Sequence, residues 1–263
     1  MNTKFLSKPS LDTIDQYLHF KVGTALCAVP YFNNRHKRQR AGLRAAIGKG
    51  SPKEIFDEVE IVGMKEKIST ETWTDVLLKK FMCDSDIGID CSGLAYYILS
   101  AENRAKGYGS LDRHISFPNR SFLRRLAAKF RPAENTDVVT FADDKNSVPV
   151  NLQKIEPGDF ITMTIIKENR AEKTLSERNH IIVIHQVDYQ NFVPTTIHYT
   201  HSIAWPDDGQ YGHGVWQGMI EILEPTKVIV DQKWTEKGKT GAENPTYMRA
   251  KISRTEIRRL KWW

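Results

Sequence analysis

Gly88-Ile89-Asp90-Cys91-Ser92-Gly93-Leu94-Ala95-Tyr96-Tyr97-Ile98-Leu99 passes from a polar, glycine-flanked turn into an apolar run that reads as a helix. Gly88 and Gly93 allow a tight turn and close backbone approach, and Asp90 and Ser92 supply polar flanks before the helical pattern begins. Cys91 therefore stands at a loop-to-helix junction. The N–H groups of a helix's first turn favour negative charge there, which can lower a cysteine pKa from about 8.5 into the range of about 3.5–7.5. Free cysteine is otherwise among the most buried residue types and packs as a small hydrophobe. Nucleophile and core residue are thus the two readings of Cys91.

On the N-terminal side of this stretch the pattern is helical. Leu11, Ile14, Leu18, Val22, Ala25 and Leu26 recur at helical spacing, so the periodicity predicts a helix over about 11–28 that ends before Pro30-Tyr31, with Cys27 in the core. A basic stretch, Asn33-Asn34-Arg35-His36-Lys37-Arg38-Gln39-Arg40, leads into a short helix that stops near Gly48-Lys49-Gly50. Ser51-Pro52-Lys53-Glu54 reads as a helix start, with Ser as cap, Pro in the first turn and Glu as reciprocal partner. Trp73, Val76, Leu77 and Phe81 suggest a further helix, and the Cys91 helix should run to about Lys106.

On the C-terminal side one basic helix is expected near Arg120–Phe130, carrying Arg124, Arg125 and Lys129. After it come short β-rich runs at 138–141, 160–166, 181–187, 195–200, 219–223 and 228–230. Turn signals such as Glu156-Pro157-Gly158-Asp159 and Pro206-Asp207-Asp208-Gly209 separate them. Helices first and strands afterwards is the pattern of an α+β fold, N-terminal helices packed on an antiparallel sheet. The reading is one domain over 1–263, with a helical insertion at about 35–85 and an irregular one at about 107–150.

The composition narrows the function classes. The chain has 263 residues, 40% of them hydrophobic, and a net charge of +6. It is long enough for a sizeable core. No apolar run reaches the length of a membrane span, and the first ten residues lack an apolar stretch of signal-peptide length, so a cytoplasmic location is expected. Cys27, Cys83 and Cys91 are an odd, sparse set that fits free thiols rather than a disulfide framework. The positive charge suits an anionic partner without choosing among nucleic acid, wall polymer and membrane surface.

A cysteine hydrolase needs a base near sulfur and a group that orients the base. His180 precedes Ile181-Ile182-Val183-Ile184 and opens a buried-looking strand. His185 falls on the opposite face by alternation. Ile197-His198-Tyr199-Thr200-His201-Ser202 offers two more imidazoles on a neighbouring strand, either of which can fix the tautomer of His180. No HExxH or CxxC pair and no nucleotide-binding glycine motif accompanies them, so neither a metal nor another cofactor is expected.

In this order the motifs resemble the NlpC family of papain-like cysteine peptidases, mostly bacterial cell-wall hydrolases. Asp90-Cys91-Ser92-Gly93 is similar to the family's nucleophile motif, and Pro157-Gly158-Asp159-Phe160 to the turn before a core strand. Asn179-His180-Ile181-Ile182 resembles the strand carrying the base, and Thr200-His201-Ser202 the element carrying the orienting residue. Val29-Pro30-Tyr31 looks like the family's Pro-Tyr segment. The family commonly has two glycines after that segment where this chain has Asn33-Asn34, and a shorter path to the cysteine than the roughly sixty residues here.

The resemblance implies a papain-like fold and amide hydrolysis through a Cys91-His180-His201 triad. It implies Tyr31 near the oxyanion, a peptidoglycan stem peptide or related peptide as substrate, and Asp90 and Ser92 in contact with the substrate's charged end. Release to the cell wall would then need a route other than a signal peptide. Two other readings stay open. The thiol can pass its acyl group to an amine or hydroxyl as an acyltransferase. Alternatively, the chain is an inactive wall- or nucleic-acid-binding module that uses Arg35, Lys37, Arg38 and Arg40 or the basic helix near Arg124.

Overall fold

The computed structural model describes residues 2–33, 44–70, 73–118, 121–165, 179–205 and 208–263. The chain divides into two compact units, each assembled from separate stretches. A helical unit comprises Lys8–Ala101 and His201–Trp216; a sheet unit comprises Met1–Ser7, Glu102–Thr200 and Gln217–Trp263. The basic cluster Arg35, Lys37, Arg38 and Arg40 lies outside the described residues.

After the short strand β1 (Asn2–Phe5), helix α1 (Lys8–Leu18) begins the helical unit with Ile14 and Tyr17 buried. The helix expected over 11–28 stops at Leu18. β2 (Phe20–Val22) and β3 (Ala25–Cys27) follow as a two-stranded antiparallel hairpin instead. The reversal rests on Gly23, whose φ of 59° is open to glycine and costly for most other residues. Phe20, Val22 and Ala25 are buried from that hairpin, whereas Leu26, counted in the helical pattern, turns outward and is 40% exposed. Cys27, expected in the core, is half-buried.

Helix α2 (Pro52–Lys65) starts as its sequence foretells. The Ser51 side chain accepts from the Glu54 N–H, and the Glu54 carboxylate accepts from the Ser51 N–H at 2.8 Å, a complete capping box with Pro at the first position. α3 (Asp75–Asp84) is capped by Thr74, and α4 (Cys91–Ala105) follows with Leu94, Ala95, Ile98 and Leu99 buried. Tyr17 ties α1 to the loop before α2 by donating its hydroxyl to the Gly50 carbonyl at 2.9 Å. The Tyr97 hydroxyl on α4 donates to the Lys49 carbonyl at 2.8 Å.

Beyond α4 the sheet unit carries α5 (Phe122–Phe130), α6 (Pro132–Asn135) and α7 (Val138–Ala142). The strand expected at 138–141 is therefore a helix. Asp137 caps it by accepting from the Thr140 N–H at 2.8 Å, and this cap overrides the β preference of two valines and a threonine. β4 (Ser147–Pro149), β5 (Phe160–Thr164), β6 (His180–Gln190) and β7 (Val193–Ile203) follow. After the one-turn helix α8 (Gly209–Gly212) come β8 (Gly214–Glu221), β9 (Lys233–Glu236), β10 (Lys239–Thr240), α9 (Pro245–Ile252) and β11 (Arg254–Leu260). The run at 228–230, expected as a strand, lies in a short 3₁₀ segment, Ile229–Asp231.

Apart from the β2–β3 hairpin, the strands form one sheet in the order β10-β9-β8-β7-β6-β5-β11-β4, with β1 added beside β6; β1–β6, β4–β11, β5–β11, β5–β6, β6–β7, β8–β9 and β9–β10 pair antiparallel. This is the expected α+β class with an antiparallel sheet. One face carries a core that includes Ile161, Ile182, Ile184, Tyr199, Ile220 and Trp234. The Pro157-Gly158-Asp159 turn leads into β5 with Gly158 at a φ of 98°. Buried Asp159 receives the Arg259 guanidinium at 2.6 and 2.9 Å. Burial raises the Asp159 pKa, and the Arg259 hydrogen bonds and charge act against that rise. At the C-terminus the indoles of Trp262 and Trp263 both donate to Asn103 Oδ1, at 2.8 and 2.7 Å. Among the described residues no helix is long and apolar enough to cross a membrane.

Candidate functional site

The segment that delivers Cys91 is held on both sides by backbone. The Ile89 N–H donates to the Pro30 carbonyl at 2.9 Å, and the Phe32 N–H donates back to the Ile89 carbonyl at 3.3 Å. On the other side the Asp90 N–H donates to the Gly48 carbonyl at 2.9 Å. The space is too narrow for side chains at the two motif glycines. A Cβ on Gly88 would stand 2.4 Å from the Pro30 oxygen, and one on Gly93 would stand 2.7 Å from the Gly48 oxygen. The close backbone approach expected at both glycines is thus present, to Pro30 and to Gly48.

Cys91 is the first residue of α4 and is 7% exposed. Asp90 occupies the cap position. Its carbonyl accepts the first helical bond, from the Leu94 N–H at 3.0 Å, and its Oδ1 accepts from the Gly93 N–H at 2.6 Å. The same oxygen accepts from Ser92 Oγ at 3.0 Å and lies 3.0 Å from Lys49 Nζ. Lys49 also donates to Ser92 Oγ at 2.5 Å. Lys49, Asp90 and Ser92 are 6%, 7% and 4% exposed. A buried ion pair thus sits at the mouth of the helix that begins with the thiol, and the helix end adds its own positive partial charge.

This arrangement gives Asp90 and Ser92 local work as a cap and as a bridge to Lys49. It brings Tyr31 to the same segment. Tyr31 pairs with Ile89 in a parallel bridge, its N–H donates to His213 Nδ1 at 3.2 Å, and its hydroxyl accepts from Asn33 at 3.4 Å. His201 lies in the helical unit too, fully buried near the end of β7. Its neighbour Ser202 donates to the Ile89 carbonyl at 2.7 Å, which fixes that end of β7 beside the cysteine segment. Alternation along the strand turns His201 and Ser202 to opposite sides.

His180 is the first residue of β6, in the sheet unit, and is 1% exposed. In the β5–β6 register it stands opposite Met163. The remaining strand histidines form a separate group. His198 Nε2 lies 3.1 Å from Asp188, and its ring centroid is 6.3 Å from that of His185. His185 sits at a register shift between β6 and β7, and its Nδ1 is 3.0 Å from Thr200 Oγ1. Burial, with a smaller contribution from His198, lowers the His185 pKa to about 4.

Lys49, Ser202 and His213 were not singled out from sequence. Gly48-Lys49-Gly50 read only as a helix stop, and nothing local in the sequence ties Lys49 to Asp90. The other two cysteines differ from Cys91 in setting. Burial raises the thiols of Cys27 and Cys83 to about 11. Among the described residues no group of three or more His, Cys, Asp or Glu side chains is placed to hold a metal ion. Comparison with known protein families, curated proteins and solved structures finds no match, so the likeness to the NlpC family rests on its motifs.

Proposed function

We propose that this chain is a cysteine-nucleophile amide hydrolase with Cys91 as the attacking group. The observation that carries the reading is the position of Cys91 as first residue of a buried helix whose cap, Asp90, is bonded to a buried lysine. A helix N-terminus favours sulfur as thiolate. His180 is assigned as the base and His201 as the residue that orients it, on residue type, burial and their order in the chain.

In the proposed reaction His180 holds the Cys91 proton and the thiolate attacks a substrate carbonyl carbon, forming a C–S bond and an oxyanion. The Cys91 N–H and Tyr31 are the proposed oxyanion donors, and loss of one such donor typically costs about 10²–10³ in rate. Collapse breaks the C–N bond, and the imidazolium gives its proton to the departing amine. Water, deprotonated by the same imidazole, then attacks the thioester, breaks the C–S bond and releases the acid. The substrate class proposed from the motif likeness is a peptidoglycan stem peptide or a related peptide. Asp90 and Ser92 are positioning residues in this scheme, because their side chains are already bonded to the helix end and to Lys49.

The test pairs chemistry with labelling. Wild type, Cys91→Ala, His180→Ala and His201→Ala are incubated with wall peptides and ordinary L-peptides, and products are identified by mass spectrometry. Wild type is expected to cleave an amide bond and release the free acid, and Cys91→Ala and His180→Ala to lose cleavage. A chloroacetamide probe near neutral pH should label Cys91 in preference to Cys27 and Cys83, whose thiols stay protonated there. Retained cleavage in Cys91→Ala, or labelling confined to Cys27 and Cys83, overturns the proposal.

A further inference from the structure

Helix α5 turns its apolar side outward. At about 3.6 residues per turn, Leu123, Leu126, Ala127 and Phe130 fall on one stripe. The three large side chains on it are exposed by 76%, 50% and 77%. Among the described side chains of α5 only Ala128 is buried, and it lies across the helix from the stripe. A surface helix ordinarily turns its apolar stripe to the core, so this helix is mounted the other way round.

The charges complete the pattern. Arg124 and Lys129 lie on the two flanks of the stripe, exposed and without an ion pair among the described residues, and α5 contains no acidic residue. Arg125 donates to the Pro118 carbonyl at 2.8 Å, and Arg131, just past the helix, pairs with Glu134 at 3.0 Å. Apolar residues pointing straight out between two free cations are the arrangement of a helix that lies in a bilayer interface. The stripe enters the acyl boundary, and the cations remain at phosphate level.

We infer that α5 docks this protein on an anionic lipid surface. Charge complementarity selects the anionic bilayer, and the outward stripe separates it from nucleic acid. A phosphate backbone engages Arg124 and Lys129 but buries none of Leu123, Leu126 and Phe130. The helix has nine residues, which places it on the membrane rather than across it.

The test is sedimentation of the full chain with vesicles of phosphatidylglycerol and phosphatidylcholine in equal parts, with phosphatidylcholine alone, and with random-sequence duplex DNA. Binding to the anionic vesicles is expected to exceed both controls. Arg124→Gln combined with Lys129→Gln should weaken it about 25-fold, at about fivefold per cation. Leu123→Ser with Leu126→Ser and Phe130→Ser should weaken it about 100-fold. The replaced side chains are exposed, so both variants should keep the wild-type thermal transition, measured alongside. The inference is overturned if wild type ignores anionic vesicles or if the serine variant binds them as wild type does. It is equally overturned if DNA is the preferred ligand and the serine variant retains it.

Discussion

Removing the charge of Asp90 tests how the cysteine-bearing helix is held. Asp90 and Lys49 are 7% and 6% exposed, and their charged atoms lie 3.0 Å apart. Asp90→Asn leaves an oxygen able to accept from the Gly93 N–H, so the cap persists while Lys49 loses its counter-charge. Breaking a buried pair from one side typically costs about 3–5 kcal/mol, because the remaining charge stays desolvated. We expect about 3 kcal/mol for Asp90→Asn and about 3 kcal/mol for Lys49→Met, since Ser92 and the helix end compensate part of the loss. Asp90→Ala should cost about 1 kcal/mol more than Asp90→Asn, through loss of the cap.

The double variant Asp90→Asn/Lys49→Met separates pairing from generic damage. With both charges gone no uncompensated ion remains, so the double should cost about as much as either single, a coupling of about 3 kcal/mol. Urea unfolding followed by far-UV circular dichroism measures each value. A loss under about 0.5 kcal/mol for Asp90→Asn, or strict additivity in the double, would refute the view that a buried ion pair organises this helix terminus.

Three further predictions concern the stability of the fold. His185 has an ordinary pKa of 6.5 when unfolded and about 4 when folded, so the unfolded chain takes up a proton first as pH falls. Its contribution is present above pH 6.5 and is lost towards pH 4, by about 3 kcal/mol in all. His185→Gln should flatten the stability profile in that window by this amount, and an unchanged profile would exclude the effect. Gly88→Ala drives a Cβ to 2.4 Å from the Pro30 oxygen and should destabilise by about 1–3 kcal/mol. Gly63→Ala, inside α2 with its nearest neighbour at 3.5 Å, should stabilise by about 0.5–1 kcal/mol in the same unfolding measurement.

Much of the chain was legible because its signals are local. The Ser51 capping box, the start of α4 at Cys91 and the turn before β5 each depend on residues within a few positions of one another. Where a long-range or competing local term prevailed, the sequence misled. The pattern at 11–28 fits a helix equally well until Gly23 reverses the chain, and a single Asp137 cap turns a β-rich tetrapeptide into α7. The candidate site divides in the same way. Cys91, Asp90 and their glycines can be read directly, whereas Lys49 lies about forty residues away and enters only by packing.

Sequence alone determined the α+β class, a helix beginning at a cysteine, and the presence of histidines on the later strands. These follow from side-chain periodicity and capping chemistry, which act over a few residues. Tertiary structure decided which backbone the motif glycines approach, the Pro30 and Gly48 carbonyls, and that Asp90 and Ser92 face a buried lysine. It also decided that the apolar stripe of α5 faces outward. Burial and ion pairing join residues far apart in the chain, and the direction in which an amphipathic helix turns depends on what the rest of the fold places beneath it.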